Sequence, residues 1–127
     1  MMSKFILIVD DSKTVRASVT YTLKKAGYQL EQAVNGQEAI NLLKTMVSDG
    51  KRPAMIITDV NMPVMDGLTF IKEIKKDKKA KFIPVIVLTT ESQQELKLAG
   101  KKAGAAGWLV KPFKPEQLEQ LAHKFIR

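Results

Sequence analysis

A three-layer α/β fold, one parallel sheet covered by helices on both faces, is predicted by three observations. Short apolar runs alternate with segments of helical periodicity along the whole chain. The runs at Phe5 to Val9, Ala54 to Thr58 and Pro84 to Thr89 are nearly continuous in apolar character, as in strands buried on both sides. The 127 residues are 45% hydrophobic and contain no repeat or linker, so residues 1–127 are expected to form one domain.

Phe5 to Val9 ends in two acids and reads as a buried strand. Val15, Val19, Leu23 and Ala26 then recur on one helical face, and Gly27 is a plausible stop. Gln29 to Val34 is more polar and suits a sheet edge. Asn35-Gly36 opens a second helix carrying Ala39, Ile40, Leu43, Met46 and Val47, which ends at Asp49-Gly50. Ala54 to Thr58 is the third strand. A short helix after Gly67 turns Phe70, Ile71 and Ile74 inward. Pro84 to Thr89 is the fourth strand, residues 91 to 103 the fourth helix with Leu96, Ala99 and Ala103 on one side, and Gly107 to Val110 the fifth strand. Pro115 at a first helical position begins the last helix, packed through Leu118, Leu121, Ala122 and Phe125. Lys114 stands where that helix wants an acceptor and offers none, so a frayed start is expected.

Composition narrows the function. Cysteine is absent, which excludes disulfides and thiolate metal sites. The apolar run near the N-terminus is too short for a signal segment or a membrane span, so a soluble cytoplasmic protein without membrane contact is expected. The formal charge of +8 is concentrated between Lys72 and Lys81. Such a charge can steer an acidic partner or bind nucleic acid weakly. No aromatic residue interrupts the cluster to stack on bases, so direct nucleic-acid binding is not expected and a solvated helix end accounts for it.

Chemistry gathers at strand ends. Asp10-Asp11, Asp59, Thr89-Thr90 and Lys111 each fall at or just past an apolar run. In open parallel sheets, sites lie beyond the carboxyl ends of the strands. Three clustered carboxylates are costly unless a positive charge joins them. A hard divalent cation, Mg²⁺, meets that need and binds well where a phosphate completes its shell. Lys111 adds a fixed ammonium and Thr89 a hydroxyl. The set suits a phosphoryl group, with one carboxylate as acceptor. On geometry alone any of the three acids qualifies.

With these residues in this order, the chain resembles the receiver domain of two-component response regulators. The resemblance rests on Asp10-Asp11, the loop Asp59 to Gly67, Thr89, and Gly107-Trp108-Leu109-Val110-Lys111-Pro112-Phe113, and covers essentially the whole chain. With no output domain attached, the single-domain chemotaxis type is nearest. It implies a flavodoxin-like (βα)5 fold with strand order 2-1-3-4-5, an order taken from the resemblance. It implies that Asp59 accepts a phosphoryl group from a sensor histidine kinase. Asp11, Asp59 and the backbone carbonyl of Asn61 would hold Mg²⁺, with Asp10 supporting it through water. Lys111 would contact the phosphoryl oxygens and Thr89 would turn toward them. Position 108 would then rotate inward, and the surface of the fourth helix, fifth strand and fifth helix would recruit a target. Lys111-Pro112 would be cis. The resemblance implies a signalling module rather than an enzyme, acting as a monomer. Its implied partners are the kinase, a downstream target such as the flagellar motor switch, and a phosphatase. A phosphorelay intermediate and a scaffold receiver are the alternative roles.

Several residues depart from that pattern. Trp108 stands where the family usually has Tyr or Phe; it either swings inward or stays half-exposed as a fixed anchor. Thr90 is larger than many receivers carry and is expected to narrow access to Asp59. Asn61 and Glu91 flank the expected water path, as in the chemotaxis type. Leu98 lies off the inward face of its helix and is a candidate partner contact. His123, the sole histidine, is read as surface or partly packed, not a phosphodonor. A Mg²⁺-dependent phosphatase acting on a small molecule is the rival reading, but no loop is long enough to form a substrate cap.

Overall fold

The computed structural model describes residues 4–90 and 94–126. Its five parallel strands are β1 (Phe5–Val9), β2 (Gln29–Ala33), β3 (Met55–Thr58), β4 (Val85–Thr89) and β5 (Gly107–Val110), in the order β2-β1-β3-β4-β5. The helices are α1 (Lys13–Lys25), α2 (Gly36–Ser48), α3 (Gly67–Lys75), α4 (Gln94–Ala103) and α5 (Pro115–Phe125). This is the flavodoxin-like receiver fold expected from the sequence.

Alternation within each strand builds two cores. Leu7, Val9, Ile56, Val85 and Val87 point to one side, where α2 and α3 cover them with Ala39, Leu43, Phe70, Ile71 and Ile74 and α4 adds Ala103. Ile6, Ile8, Ile57, Ile86 and Leu88 point to the other and meet Val19 and Leu23 of α1 and Leu118 and Ala122 of α5. Complete burial of one such aliphatic side chain is worth roughly 1.5–3 kcal/mol. The three central strands are buried at every position except Phe5 at the start of β1, whereas β2 is mostly exposed and β5 only half-buried. The polar run at Gln29 is thus an edge strand, as its composition implied.

Local chemistry sets most element ends. Ser12 Oγ accepts from the Val15 N–H and starts α1; Asn35 Oδ1 accepts from the Glu38 N–H and starts α2. Gly27, at φ +104°, stops α1. Ala26 is the exposed C-cap rather than part of the buried face, because α1 has already ended at Lys25. Val34, Ala54 and Pro84 fall just outside their strands. The expected start of the fourth helix at residue 91 and the side chain of Leu96 lie outside the described residues; Ala99 is half-buried and Ala103 buried. At α5, Gln117 Oε1 accepts from the Lys114 N–H at 2.8 Å. The missing lysine acceptor is therefore offset by the reciprocal half of a capping box.

Candidate functional site

The carboxyl ends of β1, β3 and β5 converge on one ammonium group. Lys111 Nζ lies 3.0 Å from Asp10 Oδ2 and 3.3 Å from Asp59 Oδ2. Asp10, just past β1, is fully buried, and its other oxygen accepts from the Ser12 N–H at 2.8 Å. Asp59, just past β3, is 8% exposed. Its N–H continues the sheet by donating to the Val9 carbonyl at 2.9 Å, and its Oδ1 accepts from the Val60 N–H at 2.7 Å. The acid is thus fixed by backbone on both sides. Asp11 is exposed and flanks the pair.

Lys111 follows β5, its N–H donating to the Thr89 carbonyl at 2.8 Å. The Lys111-Pro112 peptide is cis, as expected. Thr89 ends β4 and is buried, Thr90 is exposed beside it, and Asn61 is exposed in the loop after Asp59. Glu91 lies outside the described residues. The structure thus brings Asp10, Asp59 and Lys111 into direct contact, with Asp11 at the mouth.

Burial pushes the Asp59 carboxyl above its ordinary range; Lys111 opposes this, and the neighbouring Asp10 adds to it. Burial alone would depress the Lys111 amine, but the hydrogen bond to Asp10 and the charges of Asp59 and Asp10 outweigh it and hold the amine above its usual value. One ammonium facing this many carboxylates leaves an excess of negative charge. Oxygens of Asp10, Asp11 and Asp59 all lie within 4.8 Å of one another. An all-oxygen, partly hydrated donor set of this kind fits a small divalent cation.

The loop that leaves Asp59 returns beneath it. The Gly67 N–H donates to the Val60 carbonyl at 2.8 Å, and a Cβ on Gly67 would collide with the Asp59 carbonyl oxygen. Only glycine allows this close approach. Asp66 then caps α3, its Oδ1 accepting from the Thr69 N–H at 2.8 Å, so this fourth acid belongs to the helix start and not to the site.

Trp108 on β5 is half-buried against the α2–α3–α4 core. Its ring lies on Gly100 of α4, where a Cβ would come within 2.8 Å of the indole. The indole Nε1 is buried and has no hydrogen-bond partner among the described residues. Leu98 on the same helix is 52% exposed, and His123 on α5 is exposed.

Sequence reasoning missed Arg16. Its Nη1 donates to the Asp10 carbonyl at 2.7 Å and its Nε to Gln32 Oε1 at 3.1 Å, tying the acidic turn to the edge strand β2. The available signal was a guanidinium one helical turn beyond Ser12. The Gly100–Trp108 fit had no sequence signal, since it joins a helix to a strand.

Comparison with known proteins agrees with this geometry. The profile of the response regulator receiver domain matches residues 6–123. The chain is 39% identical over 116 residues to the chemotaxis protein CheY1 of Helicobacter pylori, covering 91% of this chain and 90% of that one. It is 34% identical over 122 residues to the sensor histidine kinase CheAY of the same organism, covering 96% of this chain but 15% of the kinase. Among solved structures, the chemotaxis protein CheY4 of Vibrio cholerae superposes with a TM-score of 0.87 at 43% identity, covering 98% of this chain and 100% of that chain. Profile, relatives and fold agree: the chain belongs to the response regulator receiver family and is of the CheY type.

Proposed function

We propose that Asp59 accepts a phosphoryl group from a phosphohistidine of a sensor kinase, and that the modification alters the α4–β5–α5 surface to recruit a target protein. The observation that carries this reading is the Lys111 ammonium bridging Asp10 and Asp59 at the strand ends. A carboxylate oxygen of Asp59 attacks phosphorus, a P–O bond forms, the P–N bond breaks, and the departing imidazole nitrogen keeps the electron pair. Lys111 neutralises the incoming oxygens, and Thr89 at the end of β4 supplies a hydroxyl beside them. Asp11, Asp59 and the Asn61 carbonyl would hold Mg²⁺, with Asp10 supporting the site through water. Bound there, the ion would supply charge neutralisation at the phosphoryl oxygens.

Transfer requires an ionised nucleophile, and burial raises the Asp59 carboxyl. Lys111 opposes that shift and keeps the carboxylate available. The phosphoryl group changes the equilibrium between two shapes only through contacts that differ between them. Lys111 and Thr89 make such contacts; coupling in allosteric proteins is typically about 5- to 150-fold in affinity. Thr90 is exposed at the same mouth and narrows access to Asp59, and Asn61, exposed in the loop after Asp59, flanks the approach of hydrolytic water. Trp108 and Leu98 lie on the output surface, and the packing of the indole on Gly100 favours a ring that moves together with α4.

The module is read as one domain over residues 1–127, monomeric and cytoplasmic, acting in signalling and not as an enzyme on small molecules. A kinase as phosphodonor is supported by the likeness to part of a sensor histidine kinase, and chemotaxis by the names of the relatives. The flagellar motor switch is the target this suggests, and a phosphatase would end the signal. Incubation with a small phosphodonor and Mg²⁺, followed by intact mass, tests the reading. One labile phosphoryl adduct lost in Asp59→Asn is expected; an adduct that survives the substitution overturns it.

A further inference from the structure

We propose that the groove between α2 and α3, at the pole opposite the acidic site, is a second docking surface that takes an acidic amphipathic segment of a partner protein. The groove has a volume of about 650 Å³. Its floor is apolar, made by Ile40, Leu43, Val47, Ile74 and Ala80, and its rim is basic, with Lys44, Lys78 and Lys79. Apolar floor and charged rim together match a helix that lays its apolar stripe in a groove and flanks it with carboxylates.

Local acids offset only part of the rim charge. Glu73 pairs with Lys76 at 3.4 Å. Asp77 is held by its own turn, its Oδ1 accepting from the Lys79 N–H at 2.7 Å, and keeps its charge; against it stand Lys44, Lys78 and Lys79, so the lining stays net positive. Lys44, Lys78 and Lys79 form no ion pair among the described residues. The sequence carries +8 overall, and the Lys72–Lys81 stretch concentrates much of that excess here.

The rim is also rigid. Lys75 Nζ donates to the carbonyls of Lys81 at 2.8 Å and Ile83 at 3.4 Å, so the loop between α3 and β4 is clamped from beneath. Ala80 and Ile83 are buried anchors, while Phe82 between them in sequence is 76% exposed with the Lys81 ammonium 5.0 Å from its ring centre. A preorganised rim loses little freedom on binding. No aromatic interrupts the lysines, and Phe82 directly follows the last of them. A single Phe is a poor platform for successive bases, and a concave floor stays unfilled against a flat bilayer. Both considerations favour a protein segment over nucleic acid or lipid.

The test uses the intact protein without phosphodonor, labelled with ¹⁵N. The probe is a synthetic helical peptide with Leu at i, i+3, i+4 and i+7 and Glu on its flanks; its scrambled isomer is the control. Saturable amide shifts at Ile40, Val47, Ile74 and Ala80 are expected with the ordered peptide only. A triple variant Lys44→Glu, Lys78→Glu, Lys79→Glu should bind on the order of tenfold more weakly at low salt. Its Trp108 emission should stay unchanged, which reports intact folding. Equal binding of the scrambled peptide, absence of shifts in the groove at millimolar peptide, or binding of phosphatidylglycerol vesicles or oligothymidylate alone overturns the proposal. Because no phosphorylation is involved, its failure is separate from failure of the Asp59 assignment.

Discussion

The cluster around Lys111 and the environment of Trp108 lie a few residues apart in sequence but are built in opposite ways. Asp10 and Asp59 extend from strands buried at every position past their first residue, and backbone N–H groups hold one oxygen of each. Trp108 sits on the half-buried edge strand β5, its ring on a glycine of α4 and its N–H without a partner among the described residues. The first arrangement has one geometry and much electrostatic energy at stake; the second has little hydrogen bonding to lose. Reactive groups belong on the rigid part of such a fold, and a responsive surface belongs where packing alone sets the position.

The sharpest way to break the contrast is at the acid itself. Asp59→Asn should abolish the phosphoryl adduct completely by intact mass while leaving the fold intact by circular dichroism. A partial adduct at another acid would mean that the rigid cluster is less selective than its geometry implies.

Lys111→Met comes next. Removing one partner of a buried ion cluster typically costs about 3–5 kcal/mol. Urea unfolding with chelator present should show a loss of that order. Mg²⁺ should restore more stability in the variant than in the parent, because the ion replaces the missing charge. No difference between the two would mean that Asp10 and Asp59 are hydrated well enough to stand unpaired.

Gly100→Ala probes the soft region. Alanine gains about 1 kcal/mol of helix propensity, but overpacking a filled site costs about 1–3 kcal/mol. A net loss of about 1 kcal/mol is expected, with red-shifted Trp108 emission as the ring moves toward solvent. An unshifted spectrum would show that α4, not the indole, gives way.

The smallest effect is in pH dependence without metal. Burial raises the Asp59 carboxyl in the folded state above its unfolded value. The folded state therefore holds the extra proton between those two values, and stability falls as pH rises through that window and is flat above it. Asp59→Asn should remove this slope and raise Tm at neutral pH. Thermal melts across pH in chelator measure both.

How much of this could be read in advance depends on which interactions are local. The central strands were legible because their apolar runs are uninterrupted, and Asn35 and Gly27 announced helix boundaries through their own chemistry. Strand order was legible only through family resemblance, since pairing joins distant segments. Asp10, Asp11, Asp59 and Lys111 were legible as strand-end residues; the double contact of Lys111 with Asp10 and Asp59 was not. Arg16, Asp66 and Gln117 escaped notice because each earns its place through a hydrogen bond that no periodicity encodes. Ala26 misled because the helical repeat continues one residue beyond the helix.

Lys111 belongs to both regions at once. Its ammonium grips the acids, while its backbone N–H, at the end of the edge strand β5, is tethered to the Thr89 carbonyl of β4. If the proposed phosphoryl group and a target at this margin favour the same shape, thermodynamic reciprocity requires the captured target to change how firmly the anionic end retains its ligand, by the same factor that the ligand changes target capture. In that sense the listener edits the message it receives.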